Sequence, residues 1–480
     1  MIRRMMLAAV VVSAMAVTAC TPKAGGPPTL EDELAAGNLT AAEEILNERI
    51  ANAKDDAELL RYTFTRDSIQ LVRRDFRRDS ASVVDYIKRY IPDVTAEKIA
   101  EWEASGVIEY KIIDGRKCYF RNAGPNVFNV DPEAIAIKQA RSGGGVSSLD
   151  SVLLIQIPEI TSAPSGQVTA PRRMKIRHEI FLKESGAVVP GDTVRVWIPY
   201  PRTDVERQKD VVMVEASEEY FNDPTCPQNT IYFERVISSA EDAARPFFIE
   251  YEYTSYGQWF DMSKADIKPY DTESELYKTY TAERPPQIVF SKRIKDLTAK
   301  VVGDLTDPYE KLCAIFDYIT ANYPWASALN YSIIPCIPEY VLDNHKGDCG
   351  QVTLLMITMA RCAGIPARWQ SGLMFHPRNT NMHDWGEVYY EGVGWVPVDT
   401  SFGRHNDVLD ETGVGEKFFN SGIDSYRMIA NSDYSRDFSP SKRYGRNDTV
   451  DSQCGEVETQ RGMLFNGTDY GYDFSVLEYK

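Results

Sequence analysis

One segment of the chain, KGDCGQVTLLMITMARCAG at residues 346–364, predicts a helix that only a protein interior can accommodate. Gly364 occupies the position of a helix C-cap, so the helix is predicted over about 349–363. Its apolar side chains recur at the spacing of one helix face and continue onto the other faces. A helix that is apolar on most sides is buried, so the chain must build a core around it. The apolar positions are Val352, Leu354, Leu355, Met356, Ile357 and Met359.

Cys349 stands at the predicted start of this helix, behind a Gly-Asp pair. In the first turn of a helix, the unsatisfied backbone N–H groups and the positive end of the dipole favour a thiolate over a thiol. Cys362 lies at the opposite end of the helix and gains no such help. Cys349 is therefore either a small buried hydrophobic residue or an activated nucleophile.

A β-hairpin is predicted shortly afterwards, in HDWGEVYYEGVGWVPVDTS at residues 383–401. If Tyr390 pairs with Trp395, position 402 lies opposite His383, whereas a two-residue turn moves that partner to about position 400. In either register His383 and Asp399 come together at the open end of the hairpin. The hairpin alone does not bring Cys349 to them.

The blocks GDCGQ, HDWGEVY and GWVPVDTSFG, in this order, resemble the transglutaminase-like superfamily of papain-type thiol enzymes. The likeness extends upstream through DPYEKLCAIFDYITANYPW, so it spans roughly residues 275–405. The resemblance implies that Cys349 is the nucleophile, that His383 is the general base and then acid, and that Asp399 orients the imidazole. It also implies that Trp325 lies near the oxyanion, although an aromatic residue there could simply pack.

The implied reaction is acyl transfer on a peptide or protein amide, with a thioester on Cys349. Transfer to water gives a peptidase or amidase, and transfer to an amine gives a crosslink. The residues leave both outcomes open, and the resemblance to exported bacterial relatives favours hydrolysis. His345, in the loop before the nucleophile, is a candidate modulator.

An alternative belongs to another class of protein: a catalytically silent envelope binding or scaffold protein that uses the same fold. The long stretch of chain before residue 275 favours it, because it indicates docking surfaces for an envelope protein partner, above all in the N-terminal helical region. A glycan-processing role is a weaker third option. Against the scaffold stands the intact set of Cys349, His383 and Asp399.

The N-terminal segment MIRRMMLAAVVVSAMAVTAC has two arginines, a short apolar run and small residues, as in a secretory signal peptide. Val17 to Cys20 resemble the lipobox of bacterial lipoproteins, which implies cleavage after residue 19 and a lipid on Cys20. The alternative is a plain secreted protein. With a lipid, the protein is held at the cell envelope by its anchor only, facing the periplasm or the surface. Thr21 in place of Asp favours the outer membrane.

The charge balance disfavours nucleic-acid partners. The chain has 53 Lys and Arg against 70 Asp and Glu, a net charge of −17, and removal of residues 1–19 with Arg3 and Arg4 makes it about −19. The cysteines and histidines lack zinc-site spacing, and no EF-hand pattern is present, so neither a metal nor a cofactor is predicted.

The predicted fold class is multidomain α+β, with four consecutive parts. Residues 1–19 are the signal peptide, 20–150 a tether and a mainly helical domain, 165–262 a β-sandwich-like domain, and 270–480 a transglutaminase-like catalytic domain. Thr40 and Glu43 predict a capping box at one helix start. Asp304, Thr306 and Asp307 are capping candidates at another, with Pro308 suited to an early helical position. His178 is predicted to be a structural residue of a strand.

Overall fold

The computed structural model describes residues 27–141, 146–403 and 417–480, so the predicted signal peptide and Cys20 lie outside the described residues. The helices of the described residues are α1 (Leu30–Ala36), α2 (Leu39–Ala51), α3 (Asp56–Asp75), α4 (Ser80–Lys88), α5 (Ala96–Ala104), α6 (Ala123–Val130), α7 (Pro132–Arg141), α8 (Ser148–Thr161), α9 (Ala240–Ala244), α10 (Glu275–Thr281), α11 (Lys292–Val302), α12 (Pro308–Asn322), α13 (Ile337–Asn344), α14 (Cys349–Cys362) and α15 (Phe418–Ser421).

The strands of the same residues are β1 (Tyr110–Ile113), β2 (Arg116–Tyr119), β3 (Thr169–Leu182), β4 (Thr193–Pro199), β5 (Gln208–Ala216), β6 (Phe221–Asn222), β7 (Thr230–Val236), β8 (Phe247–Trp259), β9 (Ala367–His376), β10 (Asn379–Tyr390), β11 (Gly394–Val398), β12 (Gly422–Ile423), β13 (Arg427–Asn431), β14 (Glu456–Thr459), β15 (Gly462–Met463) and β16 (Tyr470–Tyr479). The chain is therefore a mixed α+β protein.

The described chain folds into two compact units, and neither unit is continuous in sequence. The first contains the N-terminal residues up to 141 together with 324–348 and 444–449. The second contains the remaining described residues. This division cuts across the three consecutive domains that the sequence predicts after the signal peptide, because segments near residue 340 and residue 446 pack with the N-terminal helices.

The first unit is mainly helical, with one small hairpin of β1 and β2. The predicted capping box at Thr40 is wrong, because α2 begins at Leu39 with Asn38 as N-cap, two residues earlier than a cap at Thr40 requires. The backbone N–H and the hydroxyl of Thr40 instead donate to the Asp114 carboxylate, at 2.9 and 2.8 Å. The Thr40 hydroxyl therefore binds the hairpin turn at Asp114 and does not cap the helix as the local pattern predicts.

Two sheets of the second unit are built mainly from residues 169–259 and are completed from the C-terminus. One sheet has the order β12-β8-β3-β16, with β5 also paired to β8, and the other has the order β15-β14-β4-β7-β6. Both contribute to one buried apolar cluster, with Ile176 and Tyr251 from the first sheet and Val196 and Phe233 from the second. The strands β14, β15 and β16 therefore extend the β-rich region of residues 169–259.

A third sheet, in the order β11-β10-β9-β13, carries the candidate site. Helix α14 packs against this sheet at Gly386, where an added Cβ would lie 2.5 Å from Cε of Met356, so the end of that side chain would have to move. Of the three predicted capping candidates before helix α12, Asp307 is the N-cap, since its carboxylate accepts from the backbone N–H groups of Tyr309 and Glu310. In the described part of the chain, no helix has both the length and the apolar character needed to cross a membrane.

Candidate active site

Cys349 is the first residue of α14, as the sequence predicts, and it is half-buried. Every residue of this helix from Gly350 to Arg361 is buried, so the predicted burial on all sides is confirmed. The backbone N–H groups of the first turn have no carbonyl partner within a helix, and they favour negative charge at this position. The fold thus places a thiol, within reach of solvent, at the positive end of a buried helix.

The hairpin of β10 and β11 brings His383 to Asp399. Nε2 of His383 lies 2.7 Å from Oδ2 of Asp399, and both side chains are buried. Neither predicted register is correct, because Tyr390 pairs with Gly394 and Tyr389 with Trp395. The observed turn has three residues, an intermediate length, and the two side chains still meet at the open end of the hairpin.

The Cys349 thiol meets β10 at the residue that follows His383. Sγ of Cys349 lies 3.3 Å from Oδ2 of Asp384, to which it donates. Nε2 of Gln453 donates to Oδ1 of Asp384 at 2.6 Å and to the backbone carbonyl of His383 at 3.0 Å. The structure therefore joins His383 to Asp399, and joins Cys349 to the adjoining Asp384.

A buried arginine, Arg427, binds the same carboxylate as His383. Nη1 of Arg427 donates to Oδ2 of Asp399 at 3.0 Å, and its Nε donates to Oδ2 of Asp424 at 2.7 Å. Asp424 also lies 2.8 Å from Nε2 of His376, which is within ion-pair distance but out of hydrogen-bond alignment. The guanidinium compensates two carboxylates that burial would otherwise leave without a counter-charge.

Burial and charge together set the protonation of the pair. Burial lowers the pKa of His383, the charge of Arg427 lowers it further, and Asp399 acts in the opposite direction. For Asp399, burial raises the pKa, but the charges of His383 and Arg427 prevail and lower it to about 2. At neutral pH the arrangement is therefore a neutral imidazole held by an ionised carboxylate, as a general base requires.

Residues 295–400 match the profile of the transglutaminase-like superfamily. This part of the chain is a transglutaminase-like domain. It contains Cys349, His383, Asp384 and Asp399, whereas Arg427 and Gln453 lie beyond the matched residues.

Three similar proteins extend the comparison. The chain is 28% identical over 133 residues to the uncharacterized protein YebA of Bacillus subtilis strain 168, which is 24% of this chain and 18% of YebA. A candidate cysteine protease from Cytophaga hutchinsonii is 15% identical, with 65% of this chain and 93% of the other covered and a TM-score of 0.41. The periplasmic domain of TgpA from Pseudomonas aeruginosa is 14% identical, with 54% and 94% covered and a TM-score of 0.27.

Trp325 and His345 belong to the first unit, whereas Cys349 begins a helix of the second. The half-buried Trp325 forms a parallel backbone bridge with Gly347, two residues before Cys349 in the chain. His345 is the left-handed C-cap of α13, and its N–H donates to the carbonyl of Val341 at 2.9 Å. The oxyanion role of Trp325 and the modulator role of His345 stay predictions.

Burial favours the uncharged forms of three other residues of the second unit, two cysteines and a histidine. Burial raises the pKa of the thiols of Cys313 and Cys362, which disfavours their thiolates. His178 is buried in β3, where its ring packs edge-on against Phe474, and burial lowers its pKa to about 3. These residues are parts of the packing.

Sequence reasoning missed Asp384, Gln453 and Arg427. Asp384 directly follows the predicted base, so its position in the strand was a usable signal. Arg427 and Gln453 come from distant segments, and no local pattern marks them. Across the residues that the structure describes, no three His, Cys, Asp or Glu side chains are grouped as a metal site.

Proposed function

We propose that the chain is a cysteine-dependent acyl transferase, with Cys349 as nucleophile, His383 as general base and acid, and Asp399 as the residue that orients the imidazole. The observation that carries this proposal is the buried contact of 2.7 Å between His383 and Asp399. His383 lies on β10, and the next residue of that strand, Asp384, contacts the Cys349 thiol.

In the proposed reaction, the Cys349 sulfur bonds to the carbonyl carbon of a peptide or protein amide, and the thiol proton passes to Nδ1 of His383, since Nε2 faces Asp399. The C–N bond then breaks, and the imidazolium protonates the leaving amine. Water in the hydrolytic outcome, or an amine in the crosslinking outcome, then attacks the thioester carbonyl and gives a proton to His383. The C–S bond breaks, and the Cys349 sulfur regains the proton from the imidazolium. We propose hydrolysis as the main outcome, as in a cysteine peptidase or amidase.

The rate of Cys349 alkylation by iodoacetamide, measured by mass spectrometry from pH 5 to 10, tests the activated pair. We expect fast labelling of Cys349 at pH values well below the ordinary thiol pKa of about 8.5, and we expect His383→Ala to lose this fast labelling. The Cys313 and Cys362 peptides of the same sample are internal controls, since burial raises their pKa. His178→Leu is the matched control for loss of a histidine.

Labelling of Cys349 that follows an ordinary thiol in both proteins would contradict the proposal. A second pair of assays separates the outcomes: release of peptides from a denatured protein substrate reports hydrolysis, and incorporation of the fluorescent amine dansylcadaverine reports crosslinking. Both signals must disappear in Cys349→Ala.

The catalytically silent envelope scaffold remains the second candidate, because one observation favours it. The Cys349 thiol donates to the Asp384 carboxylate, and a carboxylate in contact with a thiol disfavours the thiolate. Slow labelling of a folded protein, together with capture of a defined envelope partner by the first unit, is the result that this candidate predicts.

We also propose that Cys20 carries a lipid that anchors the protein to the outer membrane. The lipobox-like residues Val17 to Cys20 support this proposal. Incorporation of labelled palmitate into the wild type and its loss in Cys20→Ala test the anchor, and density-gradient separation of the two membranes tests its location. A wild-type protein without the label would contradict the proposal.

A further inference from the structure

We propose that the first unit contains a second binding site, a cavity that takes a small ligand with an apolar body and one carboxylate. The cavity has a volume of about 290 Å³, and all its lining residues belong to the first unit. This volume is close to the lower end of the range that is usual for ligand pockets, about 300–1,000 Å³. The site is independent of the proposed acyl transfer, because Cys349, His383 and Asp399 are not among its lining residues.

Apolar and aromatic residues form part of the lining. Phe76, Ile108 and Leu329 are buried residues of the core, and Tyr110 and Tyr340 add two further aromatic residues. A ligand that covers these residues removes apolar surface from water, which is favourable. The cavity therefore accommodates an apolar or aromatic group.

Lys111, on strand β1, gives this cavity a positive charge. Its side chain reaches the aromatic part of the lining, since Nζ lies 5.4 Å from the centre of the Phe76 ring. Burial lowers the pKa of Lys111, and the attraction of the Glu109 carboxylate offsets this effect only in part. A ligand anion that pairs with this half-buried ammonium therefore offsets the remaining cost of its burial.

The two carboxylates that line the cavity are each held by a different lysine. Oε2 of Glu109 accepts from the Tyr340 hydroxyl at 2.6 Å, and its Oε1 lies 2.9 Å from Nζ of Lys346. Oε2 of Glu103 accepts from Nζ of Lys117 at 2.5 Å. Both glutamates therefore have an ammonium partner of their own.

The charges of the cavity favour an anionic ligand over a cationic one. Lys111 is a third ammonium group beside two carboxylates that already have ammonium partners. A ligand carboxylate that binds Lys111 forms a charge-assisted hydrogen bond and balances this third charge. Two sources supply the same chemistry: a free carboxylic acid with an apolar body, and the C-terminal carboxylate of a peptide that ends in an apolar residue.

Protection of Lys111 from acetylation tests this site in the full chain. Sulfosuccinimidyl acetate acetylates neutral amines, and mass spectrometry gives the rate for each lysine peptide. The probes are 3-phenylpropionate, its neutral amide and the cationic trimethyl(3-phenylpropyl)ammonium. We expect 3-phenylpropionate to protect Lys111 at concentrations at least about tenfold below those that the other two require. Lys54, exposed in the same unit, is the internal control and should react at an unchanged rate.

Two variants at position 111 separate the charge of the lysine from its bulk. The affinity for 3-phenylpropionate is measured by isothermal titration calorimetry. We expect Lys111→Met, which keeps a long side chain without the charge, to weaken binding by about tenfold or more. We expect Lys111→Arg to retain most of the affinity, because the charge remains. Lys54→Met removes a charge from an exposed position of the same unit and should bind as the wild type does.

Three results would overturn the proposal. They are a failure of 3-phenylpropionate to protect Lys111, equal protection by the amide or the ammonium probe, and equal affinities of the wild type and a folded Lys111→Met. The first two are measured on the wild type, so they decide the question even where the variant does not fold.

Peptides distinguish the two sources of the carboxylate. N-acetyl-alanyl-alanyl-phenylalanine and its C-terminal amide are compared with 3-phenylpropionate by calorimetry, in Cys349→Ala so that the proposed acyl transfer does not consume them. Tighter binding of the peptide acid than of 3-phenylpropionate assigns the site to peptide C-termini, and the reverse order assigns it to free acids. Equal affinities for the peptide acid and its amide would exclude peptide C-termini.

Discussion

Arg427 and Asp399, 28 residues apart in the chain, form a buried ion pair of 3.0 Å that uses the same carboxylate oxygen as His383. This oxygen, Oδ2 of Asp399, therefore contacts both a guanidinium and a titratable imidazole, and the charge of one affects the pKa of the other. The guanidinium stabilises the ionised carboxylate and lowers the pKa of the imidazole, so it keeps His383 in the form that can accept a proton. Arg427 acts on the site through Asp399, as a positioning residue.

Replacement of Arg427 by methionine is expected to cost stability and to change the titration of His383. Two buried carboxylates lose their counter-charge, which typically lowers the free energy of unfolding by about 3–5 kcal/mol. Urea unfolding measures this loss. Arg245→Met is the control, because the Arg245 side chain that pairs with Asp242 is largely exposed, so its removal should cost only a small fraction of that free energy. Similar losses in the two variants would contradict the role of Arg427.

The pH dependence expected for the proposed acyl transfer follows from the lowered pKa of His383. The rate is expected to rise with pH through that pKa, below the ordinary value of about 6.5, as the imidazole loses its proton. In a folded Arg427→Lys variant the charge remains and the acid limb should stay, whereas in Arg427→Met it should move to higher pH. The measurement is kcat/KM, or the alkylation rate of Cys349, against pH.

Asp399→Asn tests the orientation of the imidazole. The amide can no longer stabilise an imidazolium at Nε2, so we expect the rate to fall by a factor of about 10²–10⁴ while the fold is retained. Ser401→Ala is the matched control, since its hydroxyl donates to the other carboxylate oxygen, at 2.8 Å, and should matter far less. An unchanged rate in Asp399→Asn would contradict the proposed role of Asp399 in orienting the imidazole of His383.

His178 makes the protein sensitive to acid. Its pKa is about 3 in the fold and about 6.5 in the unfolded chain, so the unfolded state takes up the proton first. Its contribution to stability is complete above pH 6.5 and is lost as the pH falls toward 3, by about 1.4 kcal/mol for each pH unit. His178→Leu should lose less stability between pH 6.5 and 4.5, as measured by urea unfolding.

The exposed His345 provides the control for that measurement, as His345→Asn, since asparagine tolerates the left-handed conformation at this position. We expect this variant to retain the acid sensitivity of the wild type. Equal acid sensitivity of His178→Leu and the wild type would show that His178 is not the group responsible.

Gly372 allows β13, and with it Arg427, to pair with β9. A Cβ at this position would lie 2.0 Å from the backbone oxygen of Met428, so the two strands would have to separate. We expect Gly372→Ala to cost about 3 kcal/mol in thermal or urea unfolding. Gly462→Ala, whose Cβ would meet nothing within 4 Å, is the control and should stay within about 0.5 kcal/mol.

Local patterns predicted some elements well and others poorly. The helix at Cys349 is confirmed, and one of the three capping candidates before Pro308, Asp307, is the cap, because the apolar period, the cap residues and glycine act within one turn of the chain. The capping box at Thr40 is wrong, since Asp114, 74 residues away, binds the same hydroxyl and N–H. The exact hairpin register is also wrong, because a turn length cannot be read from glycine spacing alone.

The sequence by itself determined the helix that begins at Cys349 and the hairpin that joins His383 to Asp399, since both depend on neighbours within about twenty residues. Only the tertiary structure decided which residues surround them. The sheet order β11-β10-β9-β13 brings Arg427 to Asp399, and the chain near residue 453 returns to β10 and holds Asp384 against the thiol. Contacts of this kind depend on how distant strands pair and on where their side chains point, and neither property leaves a periodic signal in the amino-acid sequence.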